Sequence, residues 1–147
     1  MDFSKNSIKQ LIPQRPPFLM VDRVISCDEI NAQTEFIVVA DNILLEDNML
    51  SAPGIIENMA QSCAARMGCV DLLHGEPTKI GYIGDVRDAV IFKLPCSGDV
   101  LRTQIRVIED FANLLLAEIC VKVDGETIAT ARVKVAKTDM IAKLDDC

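Results

Sequence analysis

The chain has no tryptophan, one tyrosine and five phenylalanines, so that aromatic residues make up only 4% of it. A core built under that restriction must draw on Ile, Val, Leu, Ala and Met, which a half-hydrophobic chain of 147 residues supplies in sufficient number for one compact domain over 1–147. Histidine is nearly absent as well: His74 stands alone. With a single histidine, and with six cysteines (Cys27, Cys63, Cys69, Cys96, Cys120, Cys147) that never fall into C-x-x-C spacing, no ordinary zinc set can be assembled and no metal or other cofactor is expected. Basic charge is also scarce. The formal net charge of −7 argues against a nucleic-acid backbone or an anionic membrane surface as partner. Arg66, Lys79, Arg87 and Lys93 are the cations that a local cluster for an acidic carrier would have to use. No apolar stretch approaches the roughly 20 residues of a membrane span. The start, Met1-Asp2-Phe3-Ser4-Lys5, has no long apolar run after a basic segment, which makes a reducing cytoplasm the expected setting and free, mostly buried thiols the expected state of the cysteines.

The elements follow from periodicity and punctuation. Ser4 is a good N-cap for a short helix to about Leu11, closed by Pro13, Pro16 and Pro17. Strands are predicted over Leu19 to Ile25 and Ala32 to Ala40, where Thr34, Phe36 and Val38 alternate against Gln33, Glu35 and Ile37, with Asp28 to Asn31 turning between them. Residues Asp41 to Ser51 have no clean period and read as a loop. From about Pro53 to Leu73 the apolar positions Ile56, Met59, Ala60, Cys63, Met67 and Val70 keep helical spacing, and few charges interrupt them. A helix apolar over most of its circumference is wrapped by other structure. Five strand-like runs follow, Lys79 to Val86, Val90 to Leu94, Val100 to Glu109, Leu114 to Val123 and Thr127 to Ala136, with Asp124-Gly125 as a tight hairpin turn. This order implies an α+β fold in which an antiparallel sheet curls around one long helix. Such a sheet leaves an edge that a two-fold partner covers most readily, so a dimer is expected.

Against this background Glu57 is out of place. It is a carboxylate near the start of the most apolar helix, where it is costly unless paired or used. Gln61 lies one turn on along the same stripe, followed by Ala64 or Ala65 and then Gly68, so that the stripe is polar at one end and small-sided beyond. A narrow apolar channel floored by Ala64 and Gly68, with an acid at its mouth, suits an acyl chain whose reactive carbonyl sits beside the acid. The amides at the helix start, Gly54 included, are donors at the positive end of the helix dipole and suited to a thioester carbonyl. Two readings of Glu57 stand side by side: a general acid–base group, or a capping residue paired with Ser51 in a capping box. His74 is on the order of 25 Å along the helix from Glu57 at roughly 1.5 Å per residue, and a helix C-terminal position accounts for it.

The run Leu11-Ile12-Pro13-Gln14-Arg15-Pro16-Pro17-Phe18-Leu19-Met20-Val21-Asp22-Arg23-Val24 resembles the N-terminal signature of the β-hydroxyacyl-acyl carrier protein dehydratases, L-x-P-H-R-x-P-F-L-x-V-D-R-V. Pro53 to Gln61 is similar to their P-G-x-x-x-x-E-x-x-A-Q helix start, with a shorter gap between Gly54 and Glu57, and Ser97-Gly98-Asp99 falls where they have a P-G-D turn. Three ordered motifs thus run over Leu11 to Val135. The resemblance implies a hot-dog fold with acyl tunnels at a dimer interface, acting on thioesters of acyl carrier protein or coenzyme A. It also implies a histidine, from a G-H-F-P-like loop of the partner subunit, working with the helix carboxylate. Here Leu44 to Ala52 has no histidine, the matching position is about Leu45, and the signature's own histidine is replaced by Gln14. In this respect the chain looks like the histidine-poor dehydratase-like proteins of aryl polyene clusters. The resemblance therefore leaves Glu57 as the acid–base residue, Gln61 as its orienting partner, and Gly54, Asn48, Ala64 and Gly68 as substrate-binding positions. The reaction the resemblance implies is a dehydration, with thioester hydrolysis as the alternative. A silent acyl-binding subunit, in a homodimer or paired with a homologous subunit, is the third possibility.

Overall fold

The structure is a computed structural model that describes residues 7–144. Strands β1 (Arg23–Cys27), β2 (Asn31–Ile37), β5 (Lys79–Ile91), β6 (Val100–Phe111), β7 (Leu114–Val123) and β8 (Glu126–Ile141) form one sheet in the order β1-β2-β6-β7-β8-β5, and every neighbouring pair is antiparallel. Helix α1 (Ala52–Leu73) packs against its concave face. This is the α+β, hot-dog arrangement expected, a sheet wrapped around one long helix.

Alternation decides the sheet's faces. Leu101, Thr103 and Ile105 of β6, Ala117, Ile119 and Val121 of β7 and Ala129, Ala131 and Val133 of β8 point inward and are buried. They meet Ile55, Met59, Cys63 and Met67 of α1 in one cluster. Ala65 and Cys69, on another side of the helix, pack with Ile8, Leu11, Ile12, Val21 and Val24 of the N-terminal segment. The helix is apolar nearly all round because it is covered from both sides.

Polar residues on α1 tie these layers together. Asn58 donates to the Met20 carbonyl at 2.7 Å and accepts from the Thr103 hydroxyl at 2.6 Å, and the Ser62 and Thr34 hydroxyls lie 2.8 Å apart. All four side chains are fully buried. Paired in this way they avoid the cost of a buried polar group without a partner, about 1–3 kcal/mol each.

Several boundaries differ from the expectations. The helix predicted at Ser4 begins outside the described residues; within them a 3₁₀ turn spans Ile8–Gln10, capped by Ser7. Strand β1 starts at Arg23 and not Leu19, because Met20 spends its backbone N–H and C=O on Gln61 and Asn58. The loop over 41–51 contains a small hairpin, β3 (Leu45–Glu46) and β4 (Met49–Leu50), turned by Asp47 and Asn48 at positive φ of 50° and 64°. Two-residue strands are too short to show a period. The two strands expected over 79–94 are one, β5, whose pairing with β8 is irregular between Arg87 and Val90 around Asp88 at φ 52°. The Asp124-Gly125 turn stands as expected, both residues having positive φ, 50° and 79°.

Candidate active site on the central helix

Ser51 opens α1: its backbone is extended and its hydroxyl accepts from the Gly54 amide at 3.4 Å. Ala52, Pro53 and Gly54 are therefore the first three helical positions. A capping box would need its acidic member at Gly54, so Glu57, three residues further on, cannot close one. The structural reading of Glu57 as a cap falls on this geometry. At the other end the helix stops at His74, whose amide bonds back to Val70 and Asp71, with Gly75 in the left-handed region at φ 68°.

The side chains expected to act together do meet. Gln61 Nε2 donates to Glu57 Oε2 at 3.2 Å and to the Phe18 carbonyl at 2.9 Å, while Gln61 Oε1 accepts from the Met20 amide at 2.6 Å. Gln61 is 1% exposed and every polar atom of its amide is engaged, so it is a fixed bracket between α1 and the segment 18–20. Glu57 is half-buried rather than sealed off, and one of its oxygens rests on that bracket.

Glu57 opens on a groove of about 220 Å³. Its walls come from Ala60, Gln61, Ala64 and Met67 of α1, Gly81, Tyr82 and Ile83 of β5, Val135 of β8, and Gln14 from the N-terminal segment. Ala64, and not Ala65, is the small residue on the Glu57 side. Gly68 is turned elsewhere: a Cβ there would stand 2.5 Å from the Leu11 carbonyl oxygen, so its smallness serves the approach of the N-terminal segment and not the groove floor. Gly54 likewise faces Leu50, whose Cδ1 would lie 2.5 Å from an added Cβ, and its N–H is engaged by Ser51 rather than free. Asn48 is exposed at the β3–β4 turn and, within the chain, does not line the groove.

Sequence reading missed Gln14 as a groove residue, although the signal was there, in the one signature position where the resembled histidine is replaced. Met67, Gly81 and Ile83 carry no chemical mark and could only be found in space, and Tyr82, the chain's one tyrosine, was not singled out. His74 is far from this site. It is exposed, and its Nε2 lies 2.8 Å from Glu29 Oε1.

Of the four cations named from the sequence, Lys93 is exposed and the other three are engaged within the chain. Arg66 is buried and donates to the Glu29 carbonyl at 2.6 Å, Lys79 is held by Glu76 at 2.6 Å, and Arg87 pairs with Asp85. Nor are the thiols mostly buried: of the five described cysteines, Cys63 and Cys69 are buried, Cys27 and Cys120 are half-buried and Cys96 is exposed. Burial pushes the Cys63 thiol up to about 12. Contact with Cys69, and with less weight the Arg66 charge, holds the Cys27 thiol below the ordinary range. Among the described residues no group of His, Cys, Asp and Glu is placed to hold a metal ion, and no helix is long and apolar enough to cross a membrane. A larger hollow of about 600 Å³ lies on the outer sheet face, where Glu118 is ion-paired with Arg106 and Arg132.

Comparison with known proteins adds a family to this geometry. The model of the ApeP dehydratase family matches residues 6–145. The 3-hydroxyacyl-[acyl-carrier-protein] dehydratase FabZ of Clostridium botulinum (strain Loch Maree / Type A3) is 30% identical over 136 residues, covering 87% of this chain and 91% of that protein. FabZ of Lactiplantibacillus plantarum is 32% identical over 119 residues, 74% of this chain and 76% of that protein. Among solved structures, a chain of the dehydratase heterocomplex ApeI:P from Xenorhabdus doucetiae superposes with a TM-score of 0.83 at 18% identity, over 90% of this chain and 91% of that one. The helix carboxylate, its glutamine bracket and the sheet around them thus sit in a sequence context shared nearly end to end, and the chain belongs to the ApeP-like dehydratase family of hot-dog proteins.

Proposed function

We propose that this protein removes water from 3-hydroxyacyl thioesters borne by acyl carrier protein or coenzyme A, with Glu57 carrying out both proton transfers. The Glu57 carboxylate takes the C2 proton, the electrons of that C–H bond form the C2=C3 double bond, the C3–O bond breaks, and the same carboxyl group returns its proton to the departing hydroxyl, which leaves as water. One carboxylate closes the proton balance without a cofactor. The observation that carries this reading is the Gln61–Glu57 contact at the mouth of a groove whose lining also includes Ala60, Ala64, Met67, Ile83 and Val135. Gln61 orients the acid, and Ala64 gives the acyl chain room. For Gly54 to hold the thioester carbonyl, its N–H must exchange the Ser51 hydroxyl, 3.4 Å away, for the thioester oxygen. Gly68 and Asn48 lie outside the groove of their own chain, and Asn48 is left to act, if at all, across a subunit boundary.

A dimer closed along β5 belongs to the same reading. The groove of about 220 Å³ is smaller than the roughly 300–1,000 Å³ of complete ligand pockets, and three of its wall residues, Gly81, Tyr82 and Ile83, belong to the edge strand β5. A partner strand laid along β5 covers that edge and completes the wall. In this reading the partner is a second copy; a homologous subunit is the alternative, and the neighbouring ApeI:P structure is named as a dehydratase heterocomplex.

The test is to incubate the protein with 3-hydroxyacyl, enoyl and saturated acyl thioesters and to follow enoyl absorbance together with free thiol. Interconversion of the first two, reduced about 10²-fold or more in Glu57→Gln, is the expected result. Thiol release without interconversion replaces the dehydratase with a hydrolase. Neither signal, with thioester bound equally by Glu57→Gln, identifies a silent acyl-binding subunit.

A further inference from the structure

We infer that Gln14 is the residue that recognises the 3-hydroxyl group of the acyl chain and separates 3-hydroxyacyl from saturated acyl ligands in the Glu57 groove. The inference rests on the proposed substrate class and names the side chain that reads it.

Four of the groove's ten lining residues are polar: Gln14, Glu57, Gln61 and Tyr82. Gln61 is occupied by Met20, Phe18 and Glu57. Tyr82 is 54% exposed on the edge strand, which places it at the rim. Glu57 is the reacting acid. Gln14 is the remaining amide, and it differs from Gln61 in one respect: its Oε1 is buried without a hydrogen-bond partner. A buried acceptor left unpaired is costly, and a side chain with no structural bond to lose is free to turn its amide toward a ligand.

The backbone beneath Gln14 is fixed. Arg15 Nη1 donates to the Ile12 carbonyl at 2.8 Å and to the Gln14 carbonyl at 2.9 Å, and Arg15 Nη2 donates to the Lys9 carbonyl at 3.2 Å. Downstream, Gln61 and Asn58 pin Phe18 and Met20 to the helix. The side chain is thus presented to the groove from an anchored loop, which is what a specificity contact requires.

A primary amide matches a hydroxyl group, since its N–H donates to the hydroxyl oxygen and its carbonyl accepts the hydroxyl hydrogen. The groove's other lining residues, Ala60, Ala64, Met67, Gly81, Ile83 and Val135, offer no side-chain hydrogen bond, so a hydroxyl on C3 has Gln14, Glu57 and, toward the rim, Tyr82 to bond to. The thioester carbonyl, common to all acyl ligands, carries no such discrimination. A saturated chain leaves the Gln14 amide unpaired against a ligand that cannot satisfy it.

The experiment measures binding and needs no turnover. The probes are 3-hydroxyacyl- and saturated acyl-pantetheine of equal chain length, with an amide in place of the thioester so that neither reacts. The wild-type protein is expected to bind the 3-hydroxy probe about tenfold more tightly, the effect of one well-made hydrogen bond. Gln14→Leu and Gln14→Met are expected to bind both probes equally, with affinity for the saturated probe within about twofold of wild type. Because Gln14 Oε1 has no partner to lose, both variants are expected to fold; a melting temperature at or above that of wild type verifies this. A preference that survives both substitutions overturns the inference, and so does a wild-type protein that binds the two probes alike. The two readings fail separately. Turnover with a preference indifferent to Gln14 removes only this inference, whereas a Gln14-dependent preference without turnover removes only the catalytic role of Glu57.

Discussion

Gln61 Nε2 lies 3.2 Å from Glu57 Oε2, one helical turn away, while the other end of the same amide accepts from the Met20 N–H at 2.6 Å. One side chain therefore couples the position of the acid to the docking of the N-terminal segment on α1. A disturbance of either is transmitted to the other.

Replacement of Gln61 tests that coupling. Gln61→Ala strips the partner from the buried Met20 N–H and is expected to cost about 1–3 kcal/mol, the range for one buried polar group left alone, whereas the Phe18 carbonyl, on an exposed residue, can turn to water. Gln61→Glu is sharper. It retains an acceptor for Met20 but sets an oxygen against the Phe18 carbonyl and against Glu57, so dehydration should fall by at least about tenfold even where the protein remains folded. Denaturant midpoints and enoyl formation, measured on both variants, separate the two effects.

Gly68 and Ala64 are both small residues on α1, yet they should respond differently. Gly68→Ala places a methyl group 2.5 Å from the Leu11 carbonyl oxygen, which is backbone and cannot swing aside, so a loss of about 1–3 kcal/mol in stability is expected from urea unfolding. Ala64→Val is expected to leave stability within about 1 kcal/mol, since Ala64 is only half-buried at the groove. It narrows the channel instead, and the acyl chain length that is turned over fastest should shorten.

Acid sensitivity should centre on Glu35. Its carboxylate is hydrogen-bonded to Arg23 and lies 2.7 Å from Arg102, and these partners, Arg23 first, hold it below the ordinary glutamate value of 4.5. A depressed folded-state value means that the stabilisation is fully present above about pH 4.5 and is lost as pH falls through the lower folded value. Glu35→Gln is therefore expected to melt earlier than wild type at neutral pH, and the gap should shrink below pH 4.5 as wild-type Glu35 is protonated. Melting temperatures between pH 7 and pH 3 provide the check, and a constant gap contradicts the assignment.

The free edge of β5 yields a prediction about assembly. Tyr82 and Val90, 54% and 45% exposed, lie on a 13-residue strand that among the described residues has no neighbour on one side. The opposite edge, β1, has five residues and an irregular pairing, the form that protects an edge from association. Val90→Lys is expected to weaken the dimer, and Ile30→Lys, an exposed residue in the β1–β2 turn, is expected to leave it intact. Sedimentation velocity over a concentration series reads both outcomes.

Much of this protein was legible without coordinates. The helix over 52–73, the alternation of β2, β6, β7 and β8 and the Asp124-Gly125 turn all depend on residues two to four positions apart, where periodicity and allowed φ values act directly. Glu57 stood out for the same reason, since a charge within an apolar period is a local contradiction. Only the tertiary structure decided the rest. It set the helix start at Ala52, which removed the capping role of Glu57, and it turned Gly54 and Gly68 toward Leu50 and Leu11 and away from the groove. It also brought Gln14 and β5 to the same groove as Glu57, across 43 and some 25 residues of chain. Contacts of that separation are set by how the N-terminal segment and the edge strand pack on α1, and packing between distant segments leaves no period along the chain to read.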